Sequence, residues 1–184
     1  MKLLFGVTGS IAAYKAAELA RLFVRGGDEV RVAMTEAAQE FITPLTFKTL
    51  TRNPVAADQF AEPEEWRPEH ISLARWCDVA LVAPATADFL AKLRHGLADD
   101  ILSATLLATR AKIAVAPAMN SGMWENPATR ENVAALKARG VFFVGPAEGG
   151  LACGDSGPGR MAEPQEIYEA IRAFAAGEPG GKEA

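Results

Sequence analysis

The stretch Lys2-Leu3-Leu4-Phe5-Gly6-Val7-Thr8-Gly9-Ser10 decides how the rest of the chain is read. Lys2–Val7 is a run of apolar residues after one lysine, as in a strand whose sheet is covered on both faces. A Gly-Ser turn follows, and residues 11–25 then read as a helix. Ala12, Ala16, Leu19, Ala20 and Phe23 fall near helical spacing, with Lys15, Glu18 and Arg25 available for the wet face. Gly26-Gly27 ends that helix. Working outward, Glu29–Met34 is a second strand, and Thr35 is placed to cap a short helix. Residues 78–83 and 112–116 are two further all-apolar strands, and 141–144 a last short one. Residues 99–109, 126–139 and Pro164–Ala176 read as helices, the last with proline in its first turn. The stretch from 43 to 69, with prolines at 44, 54, 63 and 68, reads as less regular. Strand–helix alternation with buried strands predicts an α/β protein built on a parallel sheet. Four or five strands suit a three-layer, doubly wound fold of Rossmann-like or flavodoxin-like kind. A single domain over residues 1–176 with a flexible tail at 177–184 is expected.

Composition limits the function. The 184 residues are 49% hydrophobic and 23% charged, which excludes a largely disordered chain. The net charge of −4 lacks the basic excess of a general phosphate-backbone binder, so no nucleic-acid partner is expected. No apolar run approaches the ~18–20 residues of a membrane span, and Lys2–Val7 is too short for a signal segment. A cytoplasmic protein away from membranes is expected. Cys77 and Cys153 make neither a disulfide framework nor a zinc pattern, so no metal is expected.

In doubly wound sheets ligands sit beyond the carboxyl ends of the strands. The first such end, Gly6-Val7-Thr8-Gly9-Ser10, opens directly into a helix. Glycines let backbone N–H groups approach an anion, and the helix N-terminus adds partial positive charge. The spacing G-x-x-G-S is neither a dinucleotide fingerprint nor a P-loop, so a bare strand-to-helix turn stays open as a reading. The next end, VAPATAD (82–88), offers small residues against which a flat group could lie, or merely a helix capped by Thr86. At a third end, APAMNSGMW (116–124), Asn120 has an amide able to donate to a carboxylate and accept from an N–H. The plainer reading makes its Met and Trp neighbours core and Asn120 a cap. Residues 149–159 hold five glycines, as in a lid-like loop, with Cys153 among small residues that leave its thiol accessible. Cys77 reads as packing. His70 is an acid/base candidate through its near-neutral pKa alone, and His95 reads as solvated or C-capping.

The segments GSIAAYK (9–15), HISLARW (70–76), APATAD (83–88), ADDILS (98–103), PAMNSGMW (117–124) and ACGDSGPGRM (152–161) occur in one order. Together they resemble the flavin-dependent cysteine decarboxylases, over about residues 2 to 175. The resemblance implies an FMN enzyme that forms homotrimers, or a dodecamer of four trimers, with flavin at a subunit interface. It places the FMN phosphate on Gly9, Ser10 and Thr35, and the ring and ribityl chain near Pro84, Ala85, Thr86 and Ser103. His70 matches the active-site histidine, Asn120 the residue holding the substrate carboxylate, and Cys153 the cysteine of a flexible clamp. Arg75 and Met119 match positions lining that pocket. The family often carries asparagine where this chain has Asp88.

The implied chemistry explains these residue types. A carboxylate on a saturated carbon has no electron sink, and oxidation of the thiol-bearing carbon to a thioaldehyde creates one. CO2 then leaves to give an enethiolate, which Cys153 would protonate. The implied substrate is phosphopantothenoylcysteine of coenzyme A biosynthesis, with a C-terminal peptidyl cysteine as the alternative. A flavin prenyltransferase, a non-catalytic FMN-binding regulatory subunit and a flavodoxin-like electron carrier are the rival readings. The joint presence of His70, Asn120 and Cys153 argues against all three.

Overall fold

Strand β1 (Lys2–Val7) sends Leu3, Phe5 and Val7 to one face of a sheet and Leu4 to the other. This two-residue period lets one strand serve two cores. The computed structural model describes residues 1–61, 68–150, 154 and 156–177. After β1 come α1 (Ala13–Arg25), β2 (Glu29–Met34), α2 (Glu36–Gln39), α3 (Pro44–Thr51) and β3 (Val55–Ala56). Then follow α4 (Glu69–Trp76), β4 (Val79–Ala85), α5 (Ala87–His95), α6 (Ile101–Ala108) and β5 (Lys112–Pro117). The chain continues through α7 (Ser121–Glu125), α8 (Pro127–Ala138), β6 (Phe142–Phe143), β7 (Ala147–Gly150), β8 (Ser156–Arg160) and α9 (Pro164–Ala176).

Six strands pair in parallel in the order β3-β2-β1-β4-β5-β6. The order reverses between β1 and β4, so the crevice at their carboxyl ends is the expected ligand position. Helices α1, α3 and α9 cover one face, around Phe5, Phe23 and Phe47. Helices α4, α5, α6 and α8 cover the other, around Phe89, Leu90 and Leu102. Each of these rings, removed from water, stabilises the fold by about 1.5–3 kcal/mol. The three-layer α/β architecture is the expected one.

Details differ from expectation. The sheet has six strands rather than four or five, because the two-residue edge strand β3 adds to the expected set. The stretch read as irregular contains α3, which opens at Pro44, and then β3. Helix α1 begins at Ala13 with Ala12 as its N-cap residue. Lys15 is not on the wet face: its side chain is only 13% exposed and ion-paired. Within the glycine-rich segment, β7 and β8 form an antiparallel hairpin. Cys153 and residues 178–184 lie outside the described residues.

Candidate functional site

A cleft of about 620 Å³ opens at the carboxyl ends of β1, β4 and β5. Its first wall is the turn from β1 into α1, including Gly9 and Ser10. Gly9 is required by close approach: a Cβ there would stand 2.5 Å from the Ala37 Cβ and 3.0 Å from its carbonyl carbon. The Ser10 hydroxyl accepts from the Ala12 N–H at 3.3 Å. Helix α1 has no acidic residue in its first turn, and Ala12 supplies no side-chain cap. The positive end of α1 is therefore left uncompensated beside the cleft by its own segment.

The second wall is the turn from β4 into α5. Thr86 caps α5 by accepting from the Phe89 N–H at 3.2 Å, as the sequence led one to expect. The buried Thr8 hydroxyl donates to the Pro84 carbonyl at 2.7 Å and accepts from the Thr86 N–H at 3.1 Å. One side chain thus ties the first two walls together. Thr8 carried no signal in the sequence, since its partners lie more than seventy residues away.

The third wall is the loop after β5. Asn120 is exposed and caps α7, accepting from the Gly122 N–H at 2.8 Å. Trp124 is core, under Arg130, whereas Met119 and Met123 line the cleft. The plainer reading holds for Trp124 and for the Asn120 cap, and differs at Met119 and Met123, which face the cleft. Strand β8 closes the space from above: the Met119 N–H donates to the Gly159 carbonyl at 2.9 Å. Gly159 has φ of +126°, and a side chain there would run into the Met119 carbonyl oxygen. Arg160 and Lys15 also line the cleft, and sequence reasoning passed over both.

Of the residues singled out in the sequence, Gly9, Ser10, Thr86, Met119 and Asn120 meet in this cleft. Pro84 and Ala85 are buried in β4 just beneath Thr86. Thr35 caps α2 through Ala38 N–H at 3.2 Å. The Ser103 hydroxyl is engaged in the capping box of α6 with Asp100. Neither Thr35 nor Ser103 is on the cleft wall. His70 sits half-buried in the first turn of α4 and is not on the wall either. Arg75 lines a second cleft of about 1080 Å³ at the amino ends of the strands, with Asp78, Arg110 and Lys112. Burial pushes the Cys77 thiol above its ordinary pKa, against the lowering effect of the hydrogen bond with Thr109, in keeping with a packing role. Among the described residues no cluster of His, Cys, Asp and Glu could hold a metal, and no helix is long and apolar enough to cross a membrane.

Known proteins share this arrangement. The Flavoprotein family model matches residues 1–176. The coenzyme A biosynthesis bifunctional protein CoaBC of Vibrio parahaemolyticus is 47% identical over 173 residues, which is 94% of this chain and 43% of that protein. The chain thus spans less than half the length of that curated relative. A solved mutant PPC decarboxylase complexed with pantothenoylaminoethenethiol superposes with a TM-score of 0.85 at 34% identity, covering 94% of this chain and 97% of that one. The FMN-dependent cysteine decarboxylase SpaF gives 0.81 at 33% identity, covering 96% and 97%. Sequence, sheet order and relatives agree, and the chain belongs to the Flavoprotein family.

Proposed function

We propose that this protein is an FMN-dependent decarboxylase acting on 4′-phosphopantothenoylcysteine to give 4′-phosphopantetheine in coenzyme A biosynthesis. The observation that carries this reading is the meeting of Met119 and Asn120 with Gly9 and Ser10 in one cleft at the sheet's switch point. A flavin phosphate suits the α1 end of that cleft, where no carboxylate of the first turn repels an anion. Gly9, Ser10 and Thr86 would hold the cofactor, with Thr35, Pro84, Ala85 and Ser103 supporting the turns around it. FMN held there would supply a two-electron sink for oxidising the thiol-bearing carbon of the substrate and then give the electrons back, so there would be no net oxidation.

The remaining work falls to side chains. Asn120 would orient the substrate carboxylate and adjacent amide so that the C–H of the thiol-bearing carbon is presented for hydride removal. Met119 lines the substrate side of the pocket. His70 handles the proton during oxidation and CO2 loss, and the Cys153 thiol protonates the enethiolate that remains. His70 reaches this cleft from a neighbouring copy, in a homotrimer or a dodecamer of trimers working in the cytoplasm. Arg75, on the same helix, would accompany it. Exposed Ile11, just before α1, and Tyr14, on it, stand beside the cleft at 59% and 65% and support an interface there.

A C-terminal peptidyl cysteine is the second reading, since the likeness to SpaF extends to FMN-dependent cysteine decarboxylases as a class. A single-turnover incubation with phosphopantothenoylcysteine, following visible absorbance and product mass, tests the proposal. Phosphopantetheine and one CO2 from a yellow protein are expected. A flavin-loaded protein inert to this substrate but active on a C-terminal cysteine peptide would transfer the reading to the peptide class. A protein that fails to bind added FMN would overturn both.

A further inference from the structure

Between β8 and α9 stands Glu163, whose carboxylate meets two cations from different parts of the chain. Lys15 Nζ lies 3.0 Å from each of its oxygens, and Arg160 Nη2 lies 3.3 Å from Oε1. Lys15 occupies the first turn of α1, where a cation adds to the positive end of the helix. Its side chain is largely buried, and that turn has no acid of its own. Glu163 supplies the missing charge from 148 residues away. As the residue before α9 it also sits where an anion is favoured. Arg160 has one buried donor, Nε, with no hydrogen-bond partner among the described residues, so its ion pair with Glu163 is a main constraint on the guanidinium. The residue before it, Gly159, accepts the hydrogen bond from Met119 N–H. A continuous path therefore runs from α1 through Glu163 and Arg160 to the loop that bears Asn120.

We propose that Glu163 is a positioning residue: it fixes the β7–β8 hairpin over the cleft by joining Arg160 at the hairpin's base to Lys15 on α1. The consequence for catalysis rests on the decarboxylase reading above, whereas the consequence for the hairpin does not. Glu163 and Arg160 are both partly exposed, and a pair of that kind contributes little to global stability, while glutamine at 163 keeps an oxygen able to accept from the largely buried Lys15. Removing the charge loosens the hairpin without unfolding the sheet. A looser cover weakens substrate binding and leaves the chemical step nearly intact once substrate is held.

The test compares the flavin-loaded wild type with Glu163→Gln and Glu163→Asp. Hydrogen exchange should quicken about tenfold in residues 156–160 of Glu163→Gln while β4 keeps its rates. With phosphopantothenoylcysteine, KM should rise about five- to tenfold with kcat within about twofold of wild type. Glu163→Asp, which keeps the charge, should restore most of both effects. Unchanged exchange in β8, or equal quickening in β8 and β4, would overturn the proposal. So would a fall in kcat at constant KM. If the wild type does not turn over this substrate, the decarboxylase reading fails and the exchange measurement alone decides the role of Glu163.

Discussion

The two ends of the sheet each carry a cleft, and the larger of the two is not where the flavin chemistry is assigned. At the amino end, about 1080 Å³ is bordered by Arg75, Asp78, Arg110 and Lys112. Much of that charge closes off backbone: Lys112 Nζ donates to the Phe174 and Ala175 carbonyls at the end of α9, and Asp78 accepts from the Lys2 N–H. Nearby, the buried Asp28 holds the Met1 ammonium and Arg172. The carboxyl-end cleft is smaller, and its walls are helix starts. Thr86 and Asn120 cap the helices that follow them, and α1 is left without an acid in its first turn. Charge counts and volume would favour the amino end. The direction of the helices, with their N–H groups facing the carboxyl edge, favours the other as an anion site.

The sharpest way to break this contrast is to ask whether His70 and Asn120 serve one cleft. His70→Gln and Asn120→Ala should each lower the decarboxylation rate about 10²–10³-fold with flavin retained. Mixing and reassembling the two variants should restore part of the activity, because some clefts would then combine both native residues. No recovery on mixing would place both residues in the cleft of a single copy.

Arg75 is the residue for which the two ends compete. Arg75→Met should raise KM about fivefold with little change in kcat if α4 is presented to a neighbour's cleft. A constant KM would confine Arg75 to the amino edge and widen the difference between the two clefts. A paired measurement sharpens the same point. Gly9→Ala drives a methyl group into the backbone of α2 and should lower Tm by about 3–8 °C while weakening FMN retention. Lys112→Met removes two carbonyl contacts and a cation over the Phe174 ring, and should lower Tm by about 2–4 °C with kcat unchanged.

The smallest effect concerns pH. The hydrogen bond from Lys92, at 3.0 Å, holds the Asp99 carboxyl below its ordinary pKa of 3.8. For Lys92 itself, burial pulls the pKa down, but the Asp99 hydrogen bond and the charges of Asp88, Asp100 and Asp99 outweigh it and hold the ammonium above 10.5. The Asp99 contribution is present above its unfolded pKa and lost as pH falls through the lower folded one. The Lys92 contribution is present below its unfolded pKa and lost as pH rises through the higher folded one. Asp99→Asn should lower Tm by about 1–2 °C at neutral pH, since the pair is exposed. That difference should shrink as pH falls below 3.8 and vanish once Asp99 is protonated in the folded protein, and a difference undiminished by acid would deny the ion pair its part.

Much of the fold was legible because its signals are local. Lys2–Val7, Glu29–Met34 and Pro164–Ala176 have the expected bounds, set by apolar runs and by turn glycines or an N1 proline. The edge strand β3 was harder, since two residues cannot display a period, and β6 is shorter than the strand expected over 141–144. The β7–β8 hairpin is built from Ala147–Gly150 and Ser156–Arg160, segments with little of the β-branched or aromatic content that marks strands. At the site, Thr86 and Asn120 were visible as caps and candidates together. Lys15 was misassigned to the solvent face because its partner is Glu163, and no window on α1 contains that carboxylate.

The packing of α1 against α9 has a consequence for synthesis. Leu19, Ala20 and Phe23 of the first helix share a core with Ile167 and Ile171 of the last, and Phe23 stacks edge-on against Tyr168. A ribosome releases the chain from its amino end, so the first helix waits with that surface uncovered until α9 emerges. Lys15 waits as well, without Glu163. The nascent chain can therefore complete its parallel strands well before it completes its cleft, and a chaperone that shields α1 would act during that interval.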